Sequence, residues 1–171
     1  MAEIRNEFVQ QVLKFEGGYV GNIDGQICTN KGITLATYKA YRKEKGIKNT
    51  SCTDLKNITM VEWLEIFRDK FWSRWKADEI DSQSIAELLC DWTWGSGVYG
   101  IKIPQRVLGV ADDGVVGPKT LAAINDYPDQ EELFYKLKDR REKHFRDIAK
   151  GSKKKFLTGW LRRNNWFRYF G

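Results

Sequence analysis

The sequence predicts a mainly α-helical fold with one small β-hairpin or irregular loop after the first helix. Apolar residues recur every three or four positions through most of the 171-residue chain, and this spacing places them on one face of a helix. Residues 19–33 break the pattern, because Gly, Asn and Asp alternate there with isolated β-branched residues. Capping residues and glycines also stand where helices are expected to begin and end.

The first helix is predicted to run from near the N-terminus to the two glycines at Gly17 and Gly18, which stop it. Its apolar face comprises Ile4, Phe8, Val12 and Phe15. After the hairpin region, Thr34 is expected to cap a second helix that ends at Gly46.

A capping-box spacing predicts the next helix, because Thr59 is followed three residues later by Glu62. The helix is expected to continue through residues 61–75. Its repeating aromatic positions are Trp63, Phe67, Phe71 and Trp75. Most of this stripe is expected in the core.

Three further helices are predicted in the second half of the chain. One runs from about Ser84 to the glycine-rich segment 94–100, and Pro118 lies in the first turn of another. Asp129 is expected to cap a long charged helix that includes His144, the only histidine. A single histidine leaves no basis for a histidine-rich metal site, so His144 is interpreted as an ordinary helix or surface residue.

Length and composition predict one compact domain over residues 1–171. The longest apolar runs are too short to span a bilayer. The N-terminal segment mixes charges and lacks the apolar core of a secretory signal peptide. The net charge of +6 favours an anionic partner, with nucleic acid, anionic lipid and bacterial cell wall all open.

The cysteines are predicted to be reduced thiols. Cys28, Cys52 and Cys90 are odd in number and widely spaced, which argues against a disulfide framework and against a metal site of the CxxC type.

Glu16 is the candidate general acid. It falls in the last turn of the first helix, where the negative end of the helix dipole favours a protonated carboxyl group. A protonated carboxyl can donate to a glycosidic oxygen. The alternative is a solvated glutamate before a glycine cap.

Asp24 and Thr29 are candidate partners of Glu16, because their segment can fold back over the helix end. Glycoside hydrolysis uses a second carboxylate to activate or position water, and a threonine hydroxyl can hold that water. Both residues also fit ordinary turns.

The motif EGGYV at residues 16–20, followed by TNKGITLATY at residues 29–38, resembles the N-terminal motif of glycoside hydrolase family 108 lysozymes, N-acetylmuramidases of phages and bacteria. The resemblance implies a lysozyme-like helical fold. It also implies hydrolysis of the β-1,4 bond between N-acetylmuramic acid and N-acetylglucosamine, with Glu16 as the catalytic acid. The Glu, Asp, Thr arrangement of T4-type phage lysozymes is similar and implies supporting roles for Asp24 and Thr29. The family usually reads DPGG where this chain reads DGQI at residues 24–27.

Residues 105–124 resemble the peptidoglycan-binding segment of the same family. The resemblance implies a catalytic part over residues 1–97 and a peptidoglycan-binding-like helical part over residues 98–171, packed together as one domain. From its residues alone, the segment LGVADDGVVGPKT also fits a helix connection without ligand contact.

Four aromatic residues are candidates to line a saccharide cleft, because sugar rings pack on indole and phenol rings. They are Tyr19, Trp92, Trp94 and Tyr99. Helical spacing makes core packing the alternative for Trp92. Asp91 is a reserve carboxylate in the same region.

The sequence therefore predicts a muramidase that acts on peptidoglycan glycan strands and needs neither a metal nor an organic cofactor. A non-catalytic wall-binding or secretion-assisting protein is the alternative, and a nucleic-acid-binding protein is a rival without a recognisable motif. We expect a monomer made in the cytoplasm without a signal peptide, released through a holin or export pore, and active at the cell envelope.

Overall fold

The computed structural model of the chain describes residues 1–21 and 27–171. These residues form two compact units. We call residues 4–70 the hairpin unit, and residues 1–3 with 71–171 the helical unit. In the described ranges, no helix is long and apolar enough to cross a membrane. The expectation of one domain, with residues 98–171 packed on residues 1–97, stays a prediction.

The hairpin unit contains four helices and a small antiparallel sheet in its described part. In chain order the elements are α1 (Asn6–Glu16), β1 (Val20–Gly21), β2 (Cys28–Asn30), β3 (Ile33–Thr34), α2 (Leu35–Glu44), α3 (Cys52–Lys56) and α4 (Met60–Phe67). The strands are ordered β1-β2-β3. Val20 pairs with Thr29, and Thr29 also pairs with Thr34.

The helical unit is built from five helices joined by short turns. They are α5 (Gln83–Ser96), α6 (Tyr99–Leu108), α7 (Pro118–Asn125), α8 (Gln130–Ile148) and α9 (Leu157–Trp166). A 3₁₀-helical turn, Gly151–Phe156, connects α8 to α9. With the small early sheet, these helices confirm the predicted mainly α fold.

The predicted helix ends are largely confirmed. Gly17 follows α1 at φ 71°, and the Thr34 hydroxyl accepts a hydrogen bond from the Thr37 amide at 3.2 Å. Thr59 forms the expected capping box at α4, Pro118 opens α7, and Asp129 caps α8. The side chains of Thr34, Thr59 and Asp129 each accept a hydrogen bond from an amide that the start of a helix leaves unpaired.

The prediction of one helix through residues 61–75 is wrong beyond Phe67. A π-helical turn, Arg68–Trp72, follows α4, and a 3₁₀ turn, Ser73–Trp75, follows that. A π turn holds about one residue more than an α turn, so the fully buried position goes to Trp72 while Phe71 is half-buried. Regular four-residue spacing does not reveal this change of phase.

The prediction of reduced cysteines is wrong for two of the three. Cys28 and Cys52 form a disulfide with their Cα atoms 6.0 Å apart, and Cys90 is a buried free thiol. Cys28 lies on β2 and Cys52 begins α3, and these elements pack together although 24 positions separate the cysteines. The spacing of the cysteines along the sequence does not reveal the contact between β2 and α3.

Each unit has its own aromatic core. In the hairpin unit, the Phe67 ring stacks on Trp63 at 5.1 Å and meets Phe8 edge-on at 5.8 Å. In the helical unit, the buried indoles of Trp72 and Trp75 donate hydrogen bonds to Asp78 at 2.8 Å and Thr93 at 2.7 Å. Pairing these indole groups allows large rings to be buried without leaving a polar group unsatisfied.

Candidate active site

Glu16 is the last residue of α1 and is half-buried. The chain leaves the helix through Gly17, whose amide donates to the Leu13 carbonyl at 3.1 Å. Apart from the adjoining residues, a methyl group added at Gly17 or Gly18 would meet no atom of residues 1–21 and 27–171 within 4 Å. Among these described residues, nothing covers the glycine side of the helix end that carries the carboxyl group, as a bulky substrate would require.

Tyr19 follows the two glycines and folds over the beginning of the sheet. Its hydroxyl comes so close to Gly21 that a side-chain carbon there would lie 2.5 Å from it. The ammonium group of Lys56 lies 5.6 Å from the centre of the Tyr19 ring, within the range of a cation–π contact. Gly21 is thus needed for this tyrosine position, and α3 supports the ring.

Strand β2 is attached to both ends of α3. Its Cys28 forms the disulfide with Cys52 at the first residue of the helix. Its Asn30 donates hydrogen bonds to the carbonyls of Leu55 at 3.0 Å and Lys56 at 3.1 Å. The Leu55 carbonyl also accepts a hydrogen bond from the Ile58 amide at 3.2 Å, so the bonds from Asn30 add to the hydrogen bonding of carbonyls at this helix end. One strand of three residues is therefore fixed at two points.

The turn after β2 has a further attachment. The Trp63 indole donates a hydrogen bond to the Lys31 carbonyl at 3.0 Å. Lys31 has a left-handed backbone with φ 51°, which is unusual for a residue with a side chain. Trp63 of α4 thus holds the strained turn between β2 and β3.

Thr29 lies between Cys28 and Asn30 and has the opposite orientation. Successive side chains of a strand point to opposite faces. Cys28 and Asn30 are buried against α3, whereas Thr29 is only partly buried and pairs with Val20 and Thr34. Because Cys28 and Asn30, the two anchors of β2, face α3, the Thr29 hydroxyl lies on the less buried face of the sheet.

Asp24 lies among residues 22–26, outside the residues that the structure describes. Its proposed role beside Glu16 stays a prediction.

Helix α2, which continues the motif, is joined to α4 by a tyrosine. Tyr38 donates a hydrogen bond to Glu62 at 3.0 Å. Burial and this hydrogen bond raise the pKa of Tyr38 to about 12, so the phenol stays protonated and remains a donor at neutral pH.

The other three aromatic candidates belong to the helical unit. Trp92 is completely buried on α5, which favours the core-packing alternative for it. Trp94 is half-buried and packs against Phe71 at 4.4 Å. Tyr99 is 56% exposed at the start of α6. Exposure therefore makes Tyr99 the most accessible of the three to a sugar ring.

His144 lies on α8, with its ring centre 6.5 Å from Trp92 and 6.4 Å from Tyr99. Burial lowers the pKa of His144, and nearby arginines act in the same direction. The imidazole is therefore neutral at neutral pH and acts as one more ring in this aromatic group.

Asp91 has a structural environment that sequence reasoning missed. It is fully buried on α5 and accepts hydrogen bonds from Arg141 of α8 and Arg163 of α9, each at 2.6 Å. Burial alone raises the pKa of Asp91, but the two arginines outweigh it and hold the pKa below its ordinary value. A buried carboxylate committed to two arginines is a poor candidate for an acid or base that must reach a substrate.

The segment around residues 109–117 is organised by a residue that the sequence did not single out. Gln105 is fully buried, donates to Asp113 and to the Val115 carbonyl at 3.0 Å each, and accepts from the Gly114 amide at 2.9 Å. These internal bonds favour the interpretation of this segment as a compact helix connection.

Among residues 1–21 and 27–171, no cluster of three or more His, Cys, Asp or Glu side chains is arranged to hold a metal ion.

Comparisons with known proteins connect this geometry to a family. The family described as "Glycosyl hydrolase 108" matches residues 9–97, more than half of the chain, and "Predicted Peptidoglycan domain" matches residues 99–165. The solved "Structure of Brucella abortus SagA" is similar with a TM-score of 0.77 and 29% identity, over 94% of this chain and 89% of that chain. Among curated proteins, none matches the chain significantly. The two family matches indicate a role in hydrolysing or binding peptidoglycan.

Proposed function

The chain belongs to the glycosyl hydrolase 108 family, and from this premise we propose that it is a muramidase. It cleaves the β-1,4 bond between N-acetylmuramic acid and N-acetylglucosamine. Glu16 acts as the general acid, Asp24 activates or positions water, and Thr29 assists Asp24. The observation that carries the proposal is a half-buried glutamate at the end of α1, followed directly by two glycines and inside the segment that matches a glycoside hydrolase family.

The reaction requires a proton for the leaving sugar oxygen and a nucleophile at the anomeric carbon. Glu16 donates its proton to the glycosidic oxygen as the bond to the anomeric carbon breaks. In the route without a covalent intermediate, a water held by Asp24 and the Thr29 hydroxyl attacks that carbon and loses its proton to the Asp24 carboxylate. The attachment of β2 to α3 supports this role of Thr29, because a fixed strand limits the movement of the hydroxyl.

The stereochemical outcome depends on the separation of the two carboxyl groups. A distance of about 6.5–9.5 Å between Glu16 and Asp24 leaves room for water and gives inversion, whereas about 5–5.5 Å gives a covalent intermediate and retention. Nuclear magnetic resonance of the first-formed product anomer distinguishes these routes.

Tyr19 of the hairpin unit is proposed to contact a saccharide ring. For the helical unit, considered by itself, the same role is proposed for Trp94 and Tyr99. Tyr19 stands three residues after the acid and is supported by Lys56. Trp92 is fully buried, which favours core packing over the predicted sugar contact.

We propose that the protein is a monomer and that it acts at the cell envelope. It reaches the envelope through a holin or export pore. The disulfide between Cys28 and Cys52 supports this location, because structural disulfides persist in oxidising compartments outside the cytoplasm.

The test is turbidity loss of purified peptidoglycan with wild type, Glu16→Gln and the control Glu7→Gln. Glu7 is an exposed glutamate in the first turn of the same helix. Loss of the general acid should slow clearing by about 10²- to 10⁴-fold, while Glu7→Gln keeps wild-type activity. Mass spectrometry should find new reducing ends on N-acetylmuramic acid, and circular dichroism verifies that all three proteins are folded. Equal clearing by Glu16→Gln and wild type would assign the acid to another residue.

A second candidate, wall binding without hydrolysis, is favoured by the peptidoglycan-domain match over residues 99–165. It predicts that folded wild type sediments with peptidoglycan and releases no sugar from acidic to neutral pH. That result would replace the muramidase proposal.

A further inference from the structure

Positive charge is concentrated at the C-terminal end of the chain. From residue 148 onward there are seven Lys and Arg and no Asp or Glu. Because the whole chain has 29 Lys and Arg against 23 Asp and Glu, removing these seven leaves the rest with 22 basic and 23 acidic residues. The net positive charge of the protein therefore comes from this one segment.

Four of these basic residues lie on one turn, residues 150–156, which we call the lysine turn. All seven of its residues are exposed, and Lys150, Lys153, Lys154 and Lys155 are among them. Within the described part of the chain, none of these four forms an ion pair. Asp147, the nearest acid before the turn, is already bound to Lys143 at 2.9 Å. Lys150 still attracts the Asp147 carboxylate, so Lys153, Lys154 and Lys155 are the lysines whose charge the turn presents to a partner.

The lysine turn also presents an aromatic ring. Phe156 ends the turn and is 48% exposed. Its inner side stacks on Trp160 of α9 at 5.9 Å, and Trp160 packs in turn on the buried Phe145 of α8 at 5.7 Å. This row of rings fixes Phe156 to the helical unit, so its apolar surface is held outward beside the lysines.

We propose that the lysine turn docks the protein onto an anionic phospholipid membrane. The lysines contact lipid phosphates, and Phe156 enters the boundary between headgroups and acyl chains. Clustered lysines next to an exposed apolar ring are suited to this surface, because each lysine adds attraction to anionic lipid and the ring adds apolar burial.

A membrane fits the turn better than a wall polymer does. A saccharide is normally bound in a concave site that covers most of its surface, whereas all seven successive residues of the lysine turn are exposed. Carboxylates of a wall polymer would attract the lysines but give no role to the half-exposed phenylalanine. A membrane accounts for both features.

The experiment is flotation with vesicles containing equal amounts of phosphatidylglycerol and phosphatidylcholine, compared with pure phosphatidylcholine vesicles. The test variants are Lys153→Glu/Lys154→Glu/Lys155→Glu and Phe156→Ser. The matched controls are Lys39→Glu/Lys43→Glu/Lys48→Glu, the same charge change on exposed lysines of the hairpin unit, and Val115→Ser, which removes another exposed apolar side chain.

Wild type should bind the anionic vesicles, and bind less as salt rises. The lysine-turn triple variant should lose affinity on the order of a hundredfold, and Phe156→Ser about fivefold. Both controls should bind better than the corresponding test variants. Absence of wild-type binding to anionic vesicles, or equal losses in the two triple variants, would overturn the proposal.

A peptidoglycan measurement separates this proposal from the enzymatic one. The lysine-turn triple variant should clear purified peptidoglycan, which contains no membrane, at the wild-type rate. If it instead loses peptidoglycan sedimentation while vesicle binding is unchanged, the turn belongs to a wall-binding surface and the membrane proposal fails. Thermal melting verifies that every variant is folded.

Discussion

Each of the two units contains an internal cross-link, and the two cross-links differ in their chemistry. In the hairpin unit, a disulfide and the Asn30 side chain join β2 to α3. In the helical unit, the buried carboxylate of Asp91 joins α5 to α8 and α9 through two arginines. The first cross-link is sensitive to reductants and the second to acid.

The comparison indicates how each unit uses its polar groups. Asp91 is fully buried, and its carboxylate holds helices together. The anchors of β2 are also buried, but they leave Thr29 between them on the less buried face. A strand fixed through its neighbours can thus present a side chain for chemistry, whereas a carboxylate that is itself the cross-link cannot.

The largest effect is expected from Asp91→Asn. Neutralising this carboxylate leaves two largely buried arginines without their counter-charge, which should lower the free energy of unfolding by about 3–5 kcal/mol. The control Asp112→Asn removes an exposed pair with Arg106 and should change stability little. Urea unfolding measures both variants, and equal stability of the two would contradict the structural role of Asp91.

The same cross-link predicts a pH dependence. The folded pKa of Asp91 lies below its ordinary value because Arg163 and Arg141 outweigh the effect of burial. Its contribution to stability is therefore fully present above the unfolded pKa of about 3.9 and is lost as the pH falls through the folded pKa. The stability difference between wild type and Asp91→Asn should narrow below about pH 4. A difference that widens in acid would contradict the assignment.

Reduction of the disulfide should have the next largest effect. Opening the Cys28–Cys52 link, with a sequence separation of 24, should destabilise the hairpin unit by about 3 kcal/mol. Hydrogen exchange should locate the loss in residues 4–70. Clearing activity should fall as well, because Thr29 adjoins Cys28. The matched control is Cys28→Ser/Cys52→Ser, which should resemble reduced wild type and show no further response to reductant.

A smaller effect is expected from Asn30→Ala. The variant removes two hydrogen bonds to the end of α3 and should lower unfolding free energy by about 2 kcal/mol. In the muramidase assay, it should reduce turnover more than the hairpin-unit control Thr59→Ala does. Equal turnover in both variants would contradict a positioning role for Asn30.

The smallest effects should be similar in the two units. Thr59→Ala in the hairpin unit and Asp129→Ala in the helical unit each remove a helix cap. Each should cost about 1 kcal/mol in urea unfolding. Markedly different losses would indicate that these caps have tertiary roles, unlike the local role described here.

Much of the fold was predictable because helix ends depend on nearby residues. The roles of Gly17, Thr34 and Asp129 were read from patterns a few positions long. The helix beyond Phe67 was predicted incorrectly, because the π turn Arg68–Trp72 changes the helical phase and places Trp72 in the core. Only packing reveals which of two neighbouring aromatic residues is covered.

The candidate site was predictable to a different degree. The motif around Glu16 identified the family, and the family match over residues 9–97 confirmed it. The hydrogen bonds that hold the strand of Thr29 were not predicted. Nothing near Asn30 or Trp63 in the sequence indicates which carbonyls these two side chains bind. Asp91 looked like a spare acid beside aromatic residues, and only its two arginine partners identify it as structural.

By itself, the sequence determined the helical class, most helix ends, the family and the candidate acid. Each of these features depends on residues that are close together along the chain. The tertiary structure decided that Cys28 pairs with Cys52, across 24 positions, and that Asp91 binds Arg141 and Arg163, across 50 and 72 positions. These pairings depend on how complete helices and strands pack, and the free energy of that packing is not a property of any short segment.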